Sequence, residues 1–128
     1  MTKRAIEAAP LQALGPYNLA IEADGTLYVS GQIHIDPEKG ELRQGSIADQ
    51  TRQCLENLKS VLSSAGYRFD DVVKTTVFLT DMADFPAMNE VYATYVTEPF
   101  PARSTIQVAA LPLGARVEIE AIAKKAAN

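Results

Sequence analysis

The spacing of apolar residues changes several times along the chain, and each change predicts an element. Leu19, Ile21 and Ala23 alternate with Asn18, Ala20 and Glu22. Asp24-Gly25 then supplies a turn, and Leu27 to Ile33 returns, so the stretch reads as a β-hairpin. "DPEKGEL" is a further turn, punctuated by Pro37 and Gly40. From Ile47 the period becomes helical: Ile47, Gln50, Cys54, Leu55, Leu58, Val61, Leu62 and Ala65 share one face. Ser46, with Asp49 three residues on, resembles a capping arrangement at the start, and Gly66 stops the helix. "DVVKTTVFLT" is nearly continuous in apolar and β-branched residues, which predicts a strand buried on both faces. "DMADFPAMNEVYATYV" predicts another helix, with Met88, Val91, Tyr92 and Tyr95 on one face, Asp84 as its cap and Pro86 in its first turn. "EPFP" breaks the chain, and "ARSTIQVAAL" and "ARVEIEAIA" read as two final strands joined across "PLGA". The first dozen residues read as an arm.

The predicted order is β-β-α-β-α-β-β, an α+β class with a mixed sheet and two helices on one face. Alternation assigns Ser104, Ile106, Val108 and Ala110 to one face of the penultimate strand, and Arg103, Thr105, Gln107 and Ala109 to the other. In the last strand Val117, Ile119 and Ala121 oppose Glu118 and Glu120. With the apolar faces under the helices, Arg103, Thr105, Glu118 and Glu120 fall on the side away from them. That polar face either meets water or packs against sister subunits.

The length of 128 residues predicts a single domain spanning residues 1–128. Basic residues number 12 and acidic residues 16, a net charge of −4 that weighs against nucleic acid as a partner. The one cysteine, Cys54, builds no disulfide framework and reads as core filler, which suits a cytoplasmic setting. Neither a signal-peptide core nor an apolar stretch of the ~20 residues needed for a spanning helix is present, so no membrane is expected. His34 is the only histidine; it reads as a surface residue, and no metal-ligand spacing surrounds it.

Several stretches together resemble the Rid family, the reactive intermediate (enamine/imine) deaminases. They are "GPYNLA", "VSGQI", "GSIADQTRQCLENLKSVLSSAG", "VVKTTVFLTDMADFPAMNEVYATY" and "FPARSTIQVAALPLGARVEIEAIA", in order over almost the whole chain. The resemblance implies a chorismate-mutase-like fold and a homotrimer, its three sheets forming a central barrel with clefts between subunits. It also implies hydrolysis of 2-aminoacrylate- and 2-aminocrotonate-type enamines, and their imine tautomers, to 2-keto acids and ammonia. It implies no cofactor and no metal.

Each residue carried over also has a plain reading. Arg103 matches a carboxylate-binding arginine, whose planar fork donates two parallel hydrogen bonds; otherwise it is a salt-bridge partner. Glu120 matches an acidic residue that positions water and passes protons, whereas Glu118 reads as an ordinary strand charge. Tyr17, after Gly15-Pro16, matches a pocket tyrosine from a neighbouring subunit, or is an interface aromatic. Ser30 and Gly31 match a strand end beside the pocket, where glycine lets backbone approach a ligand, or where the strand simply ends on small residues. Asn89 matches a cleft residue of the second helix, or is a surface asparagine. Thr105 stands where many members carry cysteine; its backbone can still face a ligand, but a thiol nucleophile is excluded. Asn18-Leu19 replaces the commoner Ser-Gln, which bears on pocket shape. Two other functions remain open: a small-molecule module that binds 2-keto acids or amino acids without turnover, and an RNA-cleaving translation inhibitor, against which the acidic balance and lone histidine count.

Overall fold

Strand alternation near the N-terminus becomes an antiparallel ribbon. The computed structural model describes residues 2–125. Strands β2 (Ala20–Ala23) and β3 (Thr26–Ile33) form the expected hairpin. Asp24 and Gly25 both take positive φ, 51° and 76°, as a tight two-residue turn requires. The expected arm is corrected in part. Arg4–Ile6 forms strand β1, antiparallel to β2, with Arg4 Nη2 2.8 Å from the Glu22 carboxylate. Three residues with only Ile6 turned inward carry too little periodicity to be read as a strand. Beyond β3, short strands β4 (Ile35–Asp36) and β5 (Glu41–Leu42) pair around the Pro37–Gly40 turn.

Helix α1 (Ile47–Ser64) begins as expected, with Ser46 Oγ accepting from the Asp49 amide at 3.1 Å. It ends at Ala65 and Gly66, the latter at φ 81°. Its apolar face buries Leu55, Leu58, Val61 and Leu62 against the sheet side that carries Leu27, Val77, Leu79, Val117 and Ile119. Each such side chain contributes about 1.5–3 kcal/mol of burial.

Strand β6 (Val72–Leu79) is not buried on both faces within one chain. Thr75, Val77 and Leu79 are buried, while Lys74, Thr76 and Phe78 alternate with them and stay partly open. The second helical region is shorter than its apolar pattern, because a 3₁₀ turn (Met82–Asp84) precedes α2 (Phe85–Tyr92). Asp84 makes no side-chain cap; both its carboxylate oxygens accept from Arg116 Nη2 at 3.2 Å. Tyr95 lies beyond the helix end.

Strands β7 (Ala102–Gln107) and β8 (Val117–Lys124) complete a six-stranded sheet in the order β1-β2-β3-β8-β6-β7. β7 runs parallel to β6, and the other pairs are antiparallel. The architecture is the expected α+β mixed sheet with two helices.

Two placements overturn expectation. The faces of β7 are reversed: Arg103 pairs in register with Thr75, and Thr75 is buried with its Oγ1 2.7 Å from the Tyr92 hydroxyl of α2. Arg103 and Thr105 therefore lie on the helix side, and Ser104 and Ile106 on the open side. At an edge strand the Arg103 cation meets aromatic rings of α2 while Ile106 stays 45% exposed. His34 is not a surface residue; it is 2% exposed. Its Nδ1 donates to the Arg43 carbonyl at 3.0 Å and its Nε2 accepts from the Arg116 amide at 3.1 Å. The ring satisfies two backbone groups where β3 leaves the sheet, and burial lowers its pKa, favouring the neutral form.

Candidate active site

The expected site residues fall into two groups. The first surrounds Arg103 on the helix side of β7. Nη1 donates to Asn89 Oδ1 at 2.8 Å. The guanidinium carbon lies 4.7 Å from the Tyr92 ring centre and 5.5 Å from that of Phe85. Among the described residues no carboxylate forms an ion pair with Arg103. Thr105 is one step along the same face; its Oγ1 is buried without a hydrogen-bond partner among the described residues. The side-chain hydroxyl there is turned into protein, away from solvent.

A register shift builds the second group. Val29 pairs with Ala121 and Gln32 with Ile119, so three steps on β3 face two on β8. The extra residue makes a bulge at Ser30-Gly31, a device that re-aims side chains beside sites. The Ser30 amide and Oγ donate to the carbonyls of Leu19 at 2.9 Å and Asn18 at 2.7 Å, which ties the bulge to the segment carrying Tyr17. Tyr17 is 46% exposed and shares a depression of about 400 Å³ with Asn18, Tyr28 and Ser30. A larger cavity of about 430 Å³, among Lys59, Tyr67, Phe69 and Tyr95, touches none of the expected residues.

Glu118 lies against Gly31. A Cβ on Gly31 would stand 2.7 Å from Glu118 Cδ and 2.9 Å from Cγ, so the carboxyl occupies the space that the missing side chain leaves. Burial pushes the Glu118 pKa above the usual carboxylate range, and repulsion from Glu120 adds to the effect. Glu120 shares the face but is exposed, opposite Thr76. The sequence reading thus favoured the more exposed of the two acids. It also missed Phe85 and Tyr92 as neighbours of Arg103. Phe85, Asn89 and Tyr92 stand at i, i+4 and i+7, one stripe of α2, and that spacing is the signal that points to them.

The groups lie on opposite faces of the sheet. Val117 and Ile119 are fully buried beneath the helices, so Glu118 between them faces the open side; Arg103 faces the helices. The open side also carries Tyr28, 51% exposed, and Ile106. One chain therefore presents two separate constellations, an arginine with neutral partners and an acid set against a glycine. Among the described residues no group of three or more His, Cys, Asp or Glu could hold a metal ion, and no helix is long and apolar enough to cross a membrane.

Residues 6–125 match the family described as Endoribonuclease L-PSP. The chain is 52% identical to the 2-iminobutanoate/2-iminopropanoate deaminase of Mus musculus, over 87% of this chain and 82% of that one. Its fold is similar to that of RidA from the Antarctic bacterium Psychrobacter, with TM-score 0.90, 45% identity, and coverage of 95% of this chain and 99% of that one. It is also similar to E. coli TdcF with bound serine, with TM-score 0.89, 40% identity, and coverage of 96% and 99%.

Proposed function

The chain belongs to the Rid, or L-PSP, family, and from that premise we propose that it hydrolyses 2-aminoacrylate- and 2-aminocrotonate-type enamines, and their imine tautomers, to 2-keto acids and ammonia. The observation that carries the mechanism is Arg103 held by a neutral asparagine with no ion-pair partner among the described residues. Such a guanidinium retains donors for a substrate carboxylate. Serine bound to the E. coli relative is consistent with a site for small carboxylates.

The acid is assigned to Glu118 in place of Glu120. Hydrolysis of an imine adds water across C=N and releases ammonia, so one group must deliver a proton to nitrogen and accept one from water. A carboxyl whose pKa is raised toward the working pH is suited to both tasks. Gly31 gives this acid its space, and Ser30 and Tyr17 belong to the bulge and the segment tied to it, while Arg103, Asn89 and the Thr105 backbone are assigned to the carboxylate end. Because the halves lie on opposite faces of one sheet, the complete site takes each half from a different copy. A homotrimer with clefts between subunits satisfies this requirement, and the exposure of Tyr28 and Ile106 on the open face supports a partner there.

Turnover of a dehydratase-generated enamine, followed as keto-acid release, is lost in Arg103→Ala and in Glu118→Gln, and retained in Glu120→Gln. Normal turnover in Arg103→Ala contradicts the reading. The bound serine also favours a binding module; titration with 2-oxobutanoate beside the same assay separates the two, because a module binds without accelerating any enamine. The RNA-cleaving reading is disfavoured by the net charge of −4 and by His34, whose two ring nitrogens are both engaged by backbone. The buried Cys54 thiol suits a cytoplasmic, reducing setting.

A further inference from the structure

We infer that Tyr92 and Phe85 are positioning residues for Arg103: their rings hold the guanidinium without an opposing carboxylate, leaving its donor edge to the substrate. The inference rests on the reading of Arg103 as the carboxylate anchor.

A carboxylate from the protein could hold the arginine, but it would occupy the donors that the substrate needs. Ring faces attract the cation through their π-clouds and consume none of its N–H groups. Tyr92 lies at 4.7 Å and Phe85 at 5.5 Å, and Asn89 accepts a single hydrogen bond from Nη1. A guanidinium has five N–H donors, so most of them remain available.

The rings are themselves fixed. The Tyr92 hydroxyl lies 2.7 Å from Thr75 Oγ1, and Thr75 is the register partner of Arg103. The β6–β7 pair thus holds the arginine backbone and the far end of the tyrosine together. Phe85 sits two turns earlier on α2, with Asn89 between, so one helix stripe supplies both rings and the neutral acceptor. The arrangement selects arginine over lysine, because a planar guanidinium can lie against ring faces and still present its edge.

The test compares wild type with Arg103→Ala, Phe85→Leu, Tyr92→Phe and Tyr92→Leu. Calorimetry measures 2-oxobutanoate affinity, and steady-state kinetics use one dehydratase-generated imine. Phe85→Leu and Tyr92→Leu should each raise Kd and KM about five- to tenfold. Their kcat should stay within about twofold of wild type, because the anchor is held equally in ground and transition states. Tyr92→Phe keeps the ring but loses its tie to Thr75, and should raise Kd and KM by less than Tyr92→Leu does. A purely structural role would instead lower kcat through a loss of active protein and leave Kd unchanged. Wild-type Kd and KM in Phe85→Leu and Tyr92→Leu, with binding abolished in Arg103→Ala, overturn this inference alone. Equal losses in Tyr92→Phe and Tyr92→Leu overturn it also. Wild-type binding in Arg103→Ala overturns the underlying reading of the anchor. Should Tyr92→Leu fail to fold, Phe85→Leu decides by the same KM criterion.

Discussion

Gly31→Ala should damage the chemistry far more than the fold. The φ of Gly31 lies outside the left-handed region, so alanine is not strained there by backbone geometry. The new methyl would meet Glu118 Cδ at 2.7 Å and Cγ at 2.9 Å. Ordinary carbon contacts begin near 3.5 Å, so the carboxyl must retreat by roughly 0.8 Å. The displaced group is the end of a flexible side chain, which limits the loss of stability to about 1–2 kcal/mol. A reacting group displaced by about 1 Å can cost ~100-fold in rate, or about 2.7 kcal/mol of transition-state stabilisation. Keto-acid release gives kcat/KM, and urea unfolding gives stability. The expected result is a kcat/KM lower by about two orders of magnitude in a protein that unfolds near the wild-type midpoint. Glu118→Ala added to Gly31→Ala should recover the stability but not the rate, since it removes the clash and the acid together. Wild-type kcat/KM in Gly31→Ala would refute the argument. So would a loss of more than about 4 kcal/mol in stability, which would place the damage in the fold.

Folding stability should fall as pH drops below 6.5, the ordinary value of the histidine that is lowered at His34. The unfolded chain takes up that proton first, so stability present above pH 6.5 is lost at up to ~1.4 kcal/mol per pH unit until the lower folded pKa is passed. Glu118, raised in the fold, acts with the opposite sign, so the His34 contribution is read as the difference in slope between wild type and His34→Gln; identical slopes contradict it. Thr105→Val exchanges a buried hydroxyl, without a partner among the described residues, for a methyl of similar shape, and should leave stability unchanged or raise it by about 1 kcal/mol in urea unfolding, with turnover retained. A loss of turnover there would show that the hydroxyl itself serves the reaction.

Much of the scaffold was legible because local chemistry marked it. Ser46 with Asp49 starts α1, Gly66 ends it, and Asp24-Gly25 turns the hairpin; each acts within a few residues of itself. The face of Arg103 was not legible. Alternation along β7 offers two parities, and Ser104-Ile106 looked more suitable for burial than Arg103-Thr105. The choice is made by Phe85, Asn89 and Tyr92 on another element. Glu118 and Glu120 are equivalent in their own strand pattern, and what distinguishes them is a register shift across β3 at Ser30-Gly31. His34 was misplaced for a related reason: its partners, the backbones of Arg43 and Arg116, lie nine and 82 residues away.

The central claim is that each working site joins the Arg103 half of one copy to the Glu118 half of another. Arg103→Ala and Glu118→Gln chains, each inactive alone, can be unfolded together, refolded as a mixture and assayed. Random assembly of equal amounts into a ring makes about a quarter of the sites wild type in both halves. The account predicts recovery of about a quarter of wild-type turnover. A mixture of demonstrably exchanged subunits that remains as inactive as its components would contradict it.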